Sequence, residues 1–202
     1  MSHLDNQQPR RPTWAEIDLD NLAANFKKIR ERVSPAARVM AIVKANAYGH
    51  GAVECVRRLA KEGADWFGVA LPEEGVELRE SGVSQPVLCL GGYWPGQPAL
   101  CIQQRLTPVV YRVDMIESLN RAAANASVVV DVHVKVDTGM GRLGVRFDQL
   151  NEFVAALEPF RNVRIDGLMT HFAAADDAAC QPLTRDQIQR FDDAVGIFGE
   201  RG

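Results

Sequence analysis

The sequence predicts an α/β fold in which parallel strands alternate with helices. Short apolar runs recur along the 202 residues, amphipathic segments separate them, and several of these segments end at a glycine or a proline. Six β-then-α units in a row predict parallel strands joined by crossover helices. A (β/α)8 barrel and a doubly wound open sheet both fit this pattern.

The predicted elements follow in chain order. Residues 1–13 form a polar leader, and residues 14–18 alternate like a short strand. Asp18 or Asp20 is expected to cap a helix that ends before Pro35. The later strands are predicted at 39–43, 66–70, 87–90, 107–111, 128–137 and 164–171, and the helices at 52–62, 73–80, 96–105, 113–125, 148–158 and 183–199. No GxGxxG motif follows the first strand, which disfavours a dinucleotide-binding sheet, but a barrel needs eight strands.

Composition narrows the class of protein. Hydrophobic residues make up 47% of the chain and charged residues 24%, as in globular domains. A net charge of −3 gives no electrostatic reason to expect a nucleic-acid partner. No apolar signal-peptide segment and no run of 18 apolar residues is present, so no membrane partner is expected. Four cysteines without CxxC spacing predict reduced thiols and a cytoplasmic location.

The carboxyl ends of the strands are where either architecture places its chemistry. One candidate is Lys44, which ends an apolar strand and begins the loop of 43–51, VKANAYGHG. A lysine at a strand end commonly extends its amine to solvent, but a neutral amine in a dry site suits Schiff-base chemistry. Tyr48, the glycines of the loop and a helix start near Ala52 favour a bound phosphate. The other strand-end candidates are Ala70 with Glu73, Leu90 with Gly91 and Gly92, Asp137 and His171.

A second group of candidates lies in the alternating segment of 128–137. Valines point to one face, whereas Asp131, His133, Lys135 and Asp137 point to the other. In a parallel sheet covered on both faces these charged groups need partners, so a structural ion-pair network is one interpretation. The other is a functional site, because the glycine-rich turn that follows returns Arg142 to the same strand end. Its planar guanidinium suits a phenolate or a carboxylate.

Two histidines have open roles at this stage. His171 ends the last predicted strand and is either a core histidine or a group that lies against a ligand. His50 is expected either to cap the helix that follows or to contact a phosphate.

Four segments of the sequence resemble the alanine racemase family. AIVKANAYGHG at 41–51 resembles the lysine motif that binds pyridoxal 5'-phosphate, and VKVDTGMGRLGV at 134–145 resembles the second marked segment of the family. GLMTHFAAAD at 167–176 and RPTWAEIDLDNLAANF at 11–26 are similar to the family as well. The resemblance implies an isomerase that interconverts L- and D-alanine and so supplies a peptidoglycan precursor. It also implies an eight-stranded barrel followed by a β-rich domain, in a head-to-tail homodimer.

The resemblance also implies roles for individual residues. Lys44 would form the covalent Schiff base with the cofactor and act as one of two bases at the substrate's α-carbon. Tyr48 would bind the phosphate, Arg142 the phenolic oxygen of the cofactor and the substrate, and His171 would lie close to the ring. Lys135 matches a lysine that is carbamylated in several family members, where the carbamate holds the arginine in place.

The chain stops after the sixth unit, at roughly half the family's usual length. The expected organisation is therefore residues 14–202 as the N-terminal part of the barrel, with the C-terminal β domain absent. The tyrosine that serves as the opposing base would come later, so we expect weak or no racemisation by these 202 residues alone. The alternatives are a broad-specificity amino-acid racemase, a barrel-only protein that binds and buffers the cofactor, and a non-catalytic fragment.

Overall fold

Parallel strands and helices alternate along residues 13–199, the part of the chain that the computed structural model describes. The strands are β1 (Met40–Ile42), β2 (Trp66–Val69), β3 (Val87–Cys89), β4 (Thr107–Val110), β5 (Val130–Asp137), β6 (Val145–Arg146) and β7 (Val163–Met169). The right-handed helices are α1 (Leu19–Arg32), α2 (Ala52–Lys61), α3 (Pro72–Glu80), α4 (Pro98–Gln103), α5 (Val113–Asn125), α6 (Leu150–Ala156) and α7 (Gln181–Gly199). Helices α2–α5 follow strands β1–β4 in turn, α6 follows β5 and the short β6, and α7 follows β7.

All strand pairs in the sheet are parallel. The order is β1-β2-β3-β4-β5, β7 pairs with β5, and β6 extends the pairing at the last two residues of β5. Within residues 13–199 the outer edges of β1 and β7 pair with no further strand. The sheet is therefore an incomplete (β/α)8 barrel of six βα units, open between β1 and β7.

The apolar core lies between the sheet and its helices, in two clusters. One packs β1–β3 against α2 and α3, around the fully buried Phe67 and Val56. The other packs the valines of β5 against α5, α6 and α7. Because the valines occupy the helix side of β5, its charged residues are directed to the opposite side, which is the interior of the barrel.

Most element predictions are confirmed, and the boundaries differ by a few residues. The α1 cap is Asp18, whose carboxylate accepts from the backbone N–H groups of Asp20 and Asn21 at 2.9 Å. The predicted strand at 14–18 is wrong, because this segment has no strand partner among the described residues and is irregular. The predicted helix at 148–158 is shorter, with a 3-10 turn at Phe147–Gln149 before α6. The leader lies outside the described residues except for Thr13.

No helix in the described part of the chain combines the length and the apolar character needed to cross a membrane.

Candidate active site

A cavity of about 560 Å³ opens at the carboxyl ends of the strands. Its polar lining residues are Lys44, Tyr48, His133, Lys135, Arg142 and His171. The rest of the wall is mainly apolar and comes from β1, β3 and β7 and from the segments after β2, β3 and β5. The structure thus brings the five residues to which the resemblance gives roles, Lys44, Tyr48, Lys135, Arg142 and His171, into one space, within the size range of small-molecule sites. No aspartate or glutamate lines the cavity among residues 13–199.

Lys44 enters this cavity from a left-handed turn, Lys44–Tyr48, which we call the Lys44 turn. The four residues after Lys44 have φ between 52° and 55°, although none of them is a glycine. This conformation costs about 1–2 kcal/mol for each such residue, so surrounding contacts must hold it. The turn begins where the backbone N–H of Val43 donates to Gly68 O of β2 at 2.8 Å. The Lys44 ammonium lies 5.9 Å from the centre of the Tyr48 ring.

The expected phosphate site at the start of the helix near Ala52 is not part of this cavity. The backbone N–H of Ala52 donates to Asn46 Oδ1 at 2.7 Å, so the chain itself already engages one of the free N–H groups at this helix start. None of residues 49–52 lines the cavity. His50 places Nδ1 at 2.8 Å from Ala47 O and likewise lies outside it.

The charged row of β5 is directed into the barrel as predicted, and three of its four members contact other strands or the following loop. Asp131 accepts two hydrogen bonds from Arg164 of β7, at 2.6 and 2.8 Å. His133 lies 3.8 Å from Asp166, and its ring contacts that of Trp66. The close approach requires Gly167, because a Cβ there would lie 2.8 Å from the His133 ring.

Lys135 is left without a carboxylate partner among the described residues. Asp131 is held by Arg164, and Asp137 accepts from the backbone N–H groups of the glycine-rich turn at 3.0 Å. Lys135 is only 6% exposed. Burial lowers its pKa, as do the positive charges of Arg142 and Lys44, while Asp137 opposes the shift.

The same positive charges act on His171. Desolvation and then Arg142, Lys135 and Lys44 lower the pKa of this imidazole. With Lys44, Lys135 and Arg142 in its lining and no carboxylate among residues 13–199, the cavity is electropositive. Such a space favours an anionic ligand.

Two residues of this site were missed by the sequence analysis. Glu74, rather than its neighbour Glu73, contacts the Lys44 turn, through the backbone N–H of Ala45 at 2.7 Å. Glu73 is exposed and accepts from Gln97 instead. The position of Glu74 as the third residue of a helix, where carboxylates bind free backbone N–H groups, is a signal that sequence reasoning could have used.

Gln187 of α7 is the second missed residue. It is fully buried and donates to Thr138 Oγ1 at 3.0 Å and to His171 O at 3.1 Å. It also accepts from the backbone N–H of Ala173 at 3.0 Å. One amide thus ties the end of β5 to the segment that carries His171. No sequence pattern distinguishes Gln187 from the exposed polar residues of the same helix.

Comparison with known proteins identifies the family to which the chain belongs. Residues 17–202 match the family described as "Alanine racemase, N-terminal domain". The chain belongs to the alanine racemase family. Curated family members include the alanine racemase of Halothermothrix orenii, 48% identical over 85% of this chain, and that of Symbiobacterium thermophilum, 41% identical over 95%.

Solved structures of the family share the fold. A Clostridium difficile alanine racemase in complex with cycloserine matches with a TM-score of 0.88 at 34% identity, over 96% of this chain and 53% of that one. The Bacillus anthracis alanine racemase with bound L-Ala-P matches with a TM-score of 0.86 at 29% identity, over 97% and 50% of the two chains. The chain also covers 45% and 50% of the two curated relatives, so it spans about half the length of the family members it matches.

Proposed function

We propose that this chain forms the cofactor-binding barrel part of a pyridoxal 5'-phosphate-dependent alanine racemase. The observation that carries the proposal is the single cavity that collects Lys44, Tyr48, Lys135, Arg142 and His171 at the strand ends, without a lining carboxylate among residues 13–199. Membership of the alanine racemase family supports alanine as the substrate.

The residues present fit pyridoxal 5'-phosphate. The cofactor is an anionic aldehyde, and the cavity offers an amine and further cationic groups in an apolar surround. When bound, the cofactor supplies an electron-withdrawing ring that stabilises the negative charge left after a proton is removed from the α-carbon of an amino acid. Lys44 would attach the cofactor, Tyr48 would bind its phosphate, and Arg142 would bind its phenolic oxygen. His171 would lie against its ring.

The residues of this chain supply one side of a proton transfer. The Lys44 amine lies at the strand end, where it would hold or release the proton at the α-carbon of alanine. Arg142 would also contact the substrate and keeps its positive charge throughout, which suits a carboxylate or phenolate partner. The apolar side chains of the wall lower the local dielectric and would strengthen these contacts.

The remaining parts of the proposal concern the complete protein. Racemisation needs a second base on the opposite face of the α-carbon, which the resemblance assigns to a tyrosine after residue 202. We infer a head-to-tail homodimer on the same resemblance and a cytoplasmic location from the free thiols. Cys55, Cys89 and Cys101 are free and buried, and burial raises their pKa values, to about 12 for Cys101.

Replacing Lys44 tests the attachment point. In the protein of natural length, Lys44→Ala should abolish covalent attachment of pyridoxal phosphate and reduce alanine racemisation by about 100- to 10,000-fold, since one side chain supplies linkage and proton transfer. Attachment is measured by borohydride fixation followed by peptide mapping, and racemisation by chiral analysis of alanine.

The matched control is Lys61→Ala, which removes an exposed lysine of α2. It should leave attachment and turnover unchanged. A fixed label on any lysine other than Lys44 would contradict the assignment, and so would full turnover in Lys44→Ala.

A further inference from the structure

Glu74 bridges the two loops that follow β1 and β2. Its Oε1 accepts from the backbone N–H of Ala45 at 2.7 Å, and its Oε2 from the backbone N–H of Ala70 at 2.6 Å. A longer contact, at 3.4 Å, joins Oε2 to the N–H of Leu71. Glu74 lies in the first turn of α3, where the helix dipole favours a carboxylate. Both oxygens are thus engaged by backbone groups of different strand ends.

The bond from Ala45 fixes the entrance of the Lys44 turn. Further along, the turn closes on itself, because Ala47 N donates to Val43 O at 2.8 Å and Gly49 N to Ala45 O at 3.0 Å. Ala45 is the first of the left-handed residues, and its N–H belongs to the peptide group that joins it to Lys44. Holding this N–H therefore orients the backbone of Lys44, and with it the path of the side chain into the cavity.

We propose that Glu74 is the positioning residue for Lys44. Glu74 does not line the cavity, so it acts through the Lys44 turn rather than on a ligand. It joins this turn to the end of β2, and β2 pairs with β1 at Ile42, two residues before Lys44. The importance of this position for cofactor attachment rests on the proposed function of Lys44.

Two substitutions of Glu74 separate the effect of its hydrogen-bond bridge from the effect of its negative charge. Glu74→Gln keeps the shape but replaces one acceptor oxygen with a donor, so either Ala45 or Ala70 loses its bond. Glu74→Asp keeps the charge but shortens the side chain by one methylene group, so that it no longer spans both loops. The matched control is Glu73→Gln, which removes the same charge from the adjacent position of the same helix turn.

The first measurement is hydrogen exchange in the protein of natural length without cofactor, which reports the turn independently of activity. Loss of one charge-assisted bond should speed exchange in a peptide covering 43–51 by on the order of tenfold in both Glu74 variants. Exchange in β5 should not change. The second measurement is the rate at which pyridoxal phosphate becomes attached to Lys44, which should fall by roughly tenfold as the amine loses its orientation. Glu73→Gln should match the unaltered protein in both.

Two results would overturn the inference. One is that hydrogen exchange in residues 43–51 and the rate of pyridoxal phosphate attachment are the same in both Glu74 variants as in Glu73→Gln. The other is exchange that rises equally in the Lys44 turn and in β5, which would mean general destabilisation. If pyridoxal phosphate attaches to none of the proteins, the proposed function fails. The exchange contrast between the Glu74 and Glu73 variants still decides whether Glu74 holds the turn.

Discussion

Lys135 is a buried lysine that shares its cavity with two other basic side chains, Lys44 and Arg142. Arg142 and Lys44 lower its pKa, and the carboxylates of its own strand are engaged by Arg164 or by backbone N–H groups. A structural ion-pair network therefore does not account for Lys135, which has no carboxylate partner among residues 13–199. If the ammonium loses one proton and the neutral amine then adds carbon dioxide with loss of a second proton, the resulting carbamate changes the charge from positive to negative and would attract Arg142.

We expect Lys135 to be carbamylated in the protein of natural length. Lys135→Ala should then reduce racemisation by roughly 100-fold, the loss expected when a reacting group is misplaced by about 1 Å. Acetate or formate should restore part of the activity by occupying the vacated space. The matched control is Lys28→Ala, at an exposed position of α1, which should show neither loss nor rescue. Absence of both a carbon dioxide adduct in bicarbonate and a carboxylate rescue would favour an unmodified amine.

At the scale of elements, α7 secures the ends of β5 and β7. Gln187 contacts both, and Arg190 donates to Thr138 O at 2.8 Å while packing 4.4 Å from the centre of the Phe147 ring. The hydroxyl of Thr138 also lies 2.8 Å from that of Thr170. The segment that carries His171 is therefore held mainly by polar contacts from the helix that follows it.

Gln187→Met should lower the free energy of unfolding by about 1–3 kcal/mol, because it removes the three hydrogen bonds that this buried amide makes with Thr138 Oγ1, His171 O and Ala173 N. Chemical denaturation measures the loss. Gln189→Met is the matched control, since Gln189 is exposed on the same helix and donates only to Asp193. Equal stability of the two variants would show that the buried amide contributes nothing beyond its volume.

At the scale of the whole molecule, exposed apolar groups lie on the edge strand β1 and on helix α7. Ile42 of β1 is 40% exposed, and Ile188 and Val195 of α7 are 45% and 49% exposed. The edges of β1 and β7 also carry backbone groups without a strand partner among residues 13–199. Open strand edges and apolar surface of this kind promote association.

We expect the isolated 202-residue chain to associate or to be poorly soluble, and to show no measurable interconversion of L- and D-alanine. Light scattering and chiral analysis measure the two properties. Ile188→Ser combined with Val195→Ser should shift the chain toward the monomer. Trp94→Ser, which removes an exposed side chain in the loop after β3, should not. A monodisperse monomer with strong racemase activity would contradict both the open-barrel expectation and the need for a later base.

The sequence by itself determined the order of the βα units, the alternation of β5 and the place of Lys44 at a strand end. These features depend on side-chain periodicity and on local turn residues, which a single segment contains. The same local signals failed for residues 14–18, because alternation alone cannot supply a strand partner. Nor could they reveal that the backbone N–H of Ala52, at the start of the helix where a phosphate is predicted, donates to Asn46.

Only the tertiary structure decided which groups meet. Glu74 reaches Ala45 across 29 positions, Arg164 reaches Asp131 across 33, and Gln187 reaches Thr138 across 49. The left-handed conformation of the Lys44 turn could not be predicted from the sequence either. Its residues are not glycines, and contacts from β2 and α3 hold it. These pairings depend on which strands are neighbours and in what register, and periodicity within one segment carries no information about either.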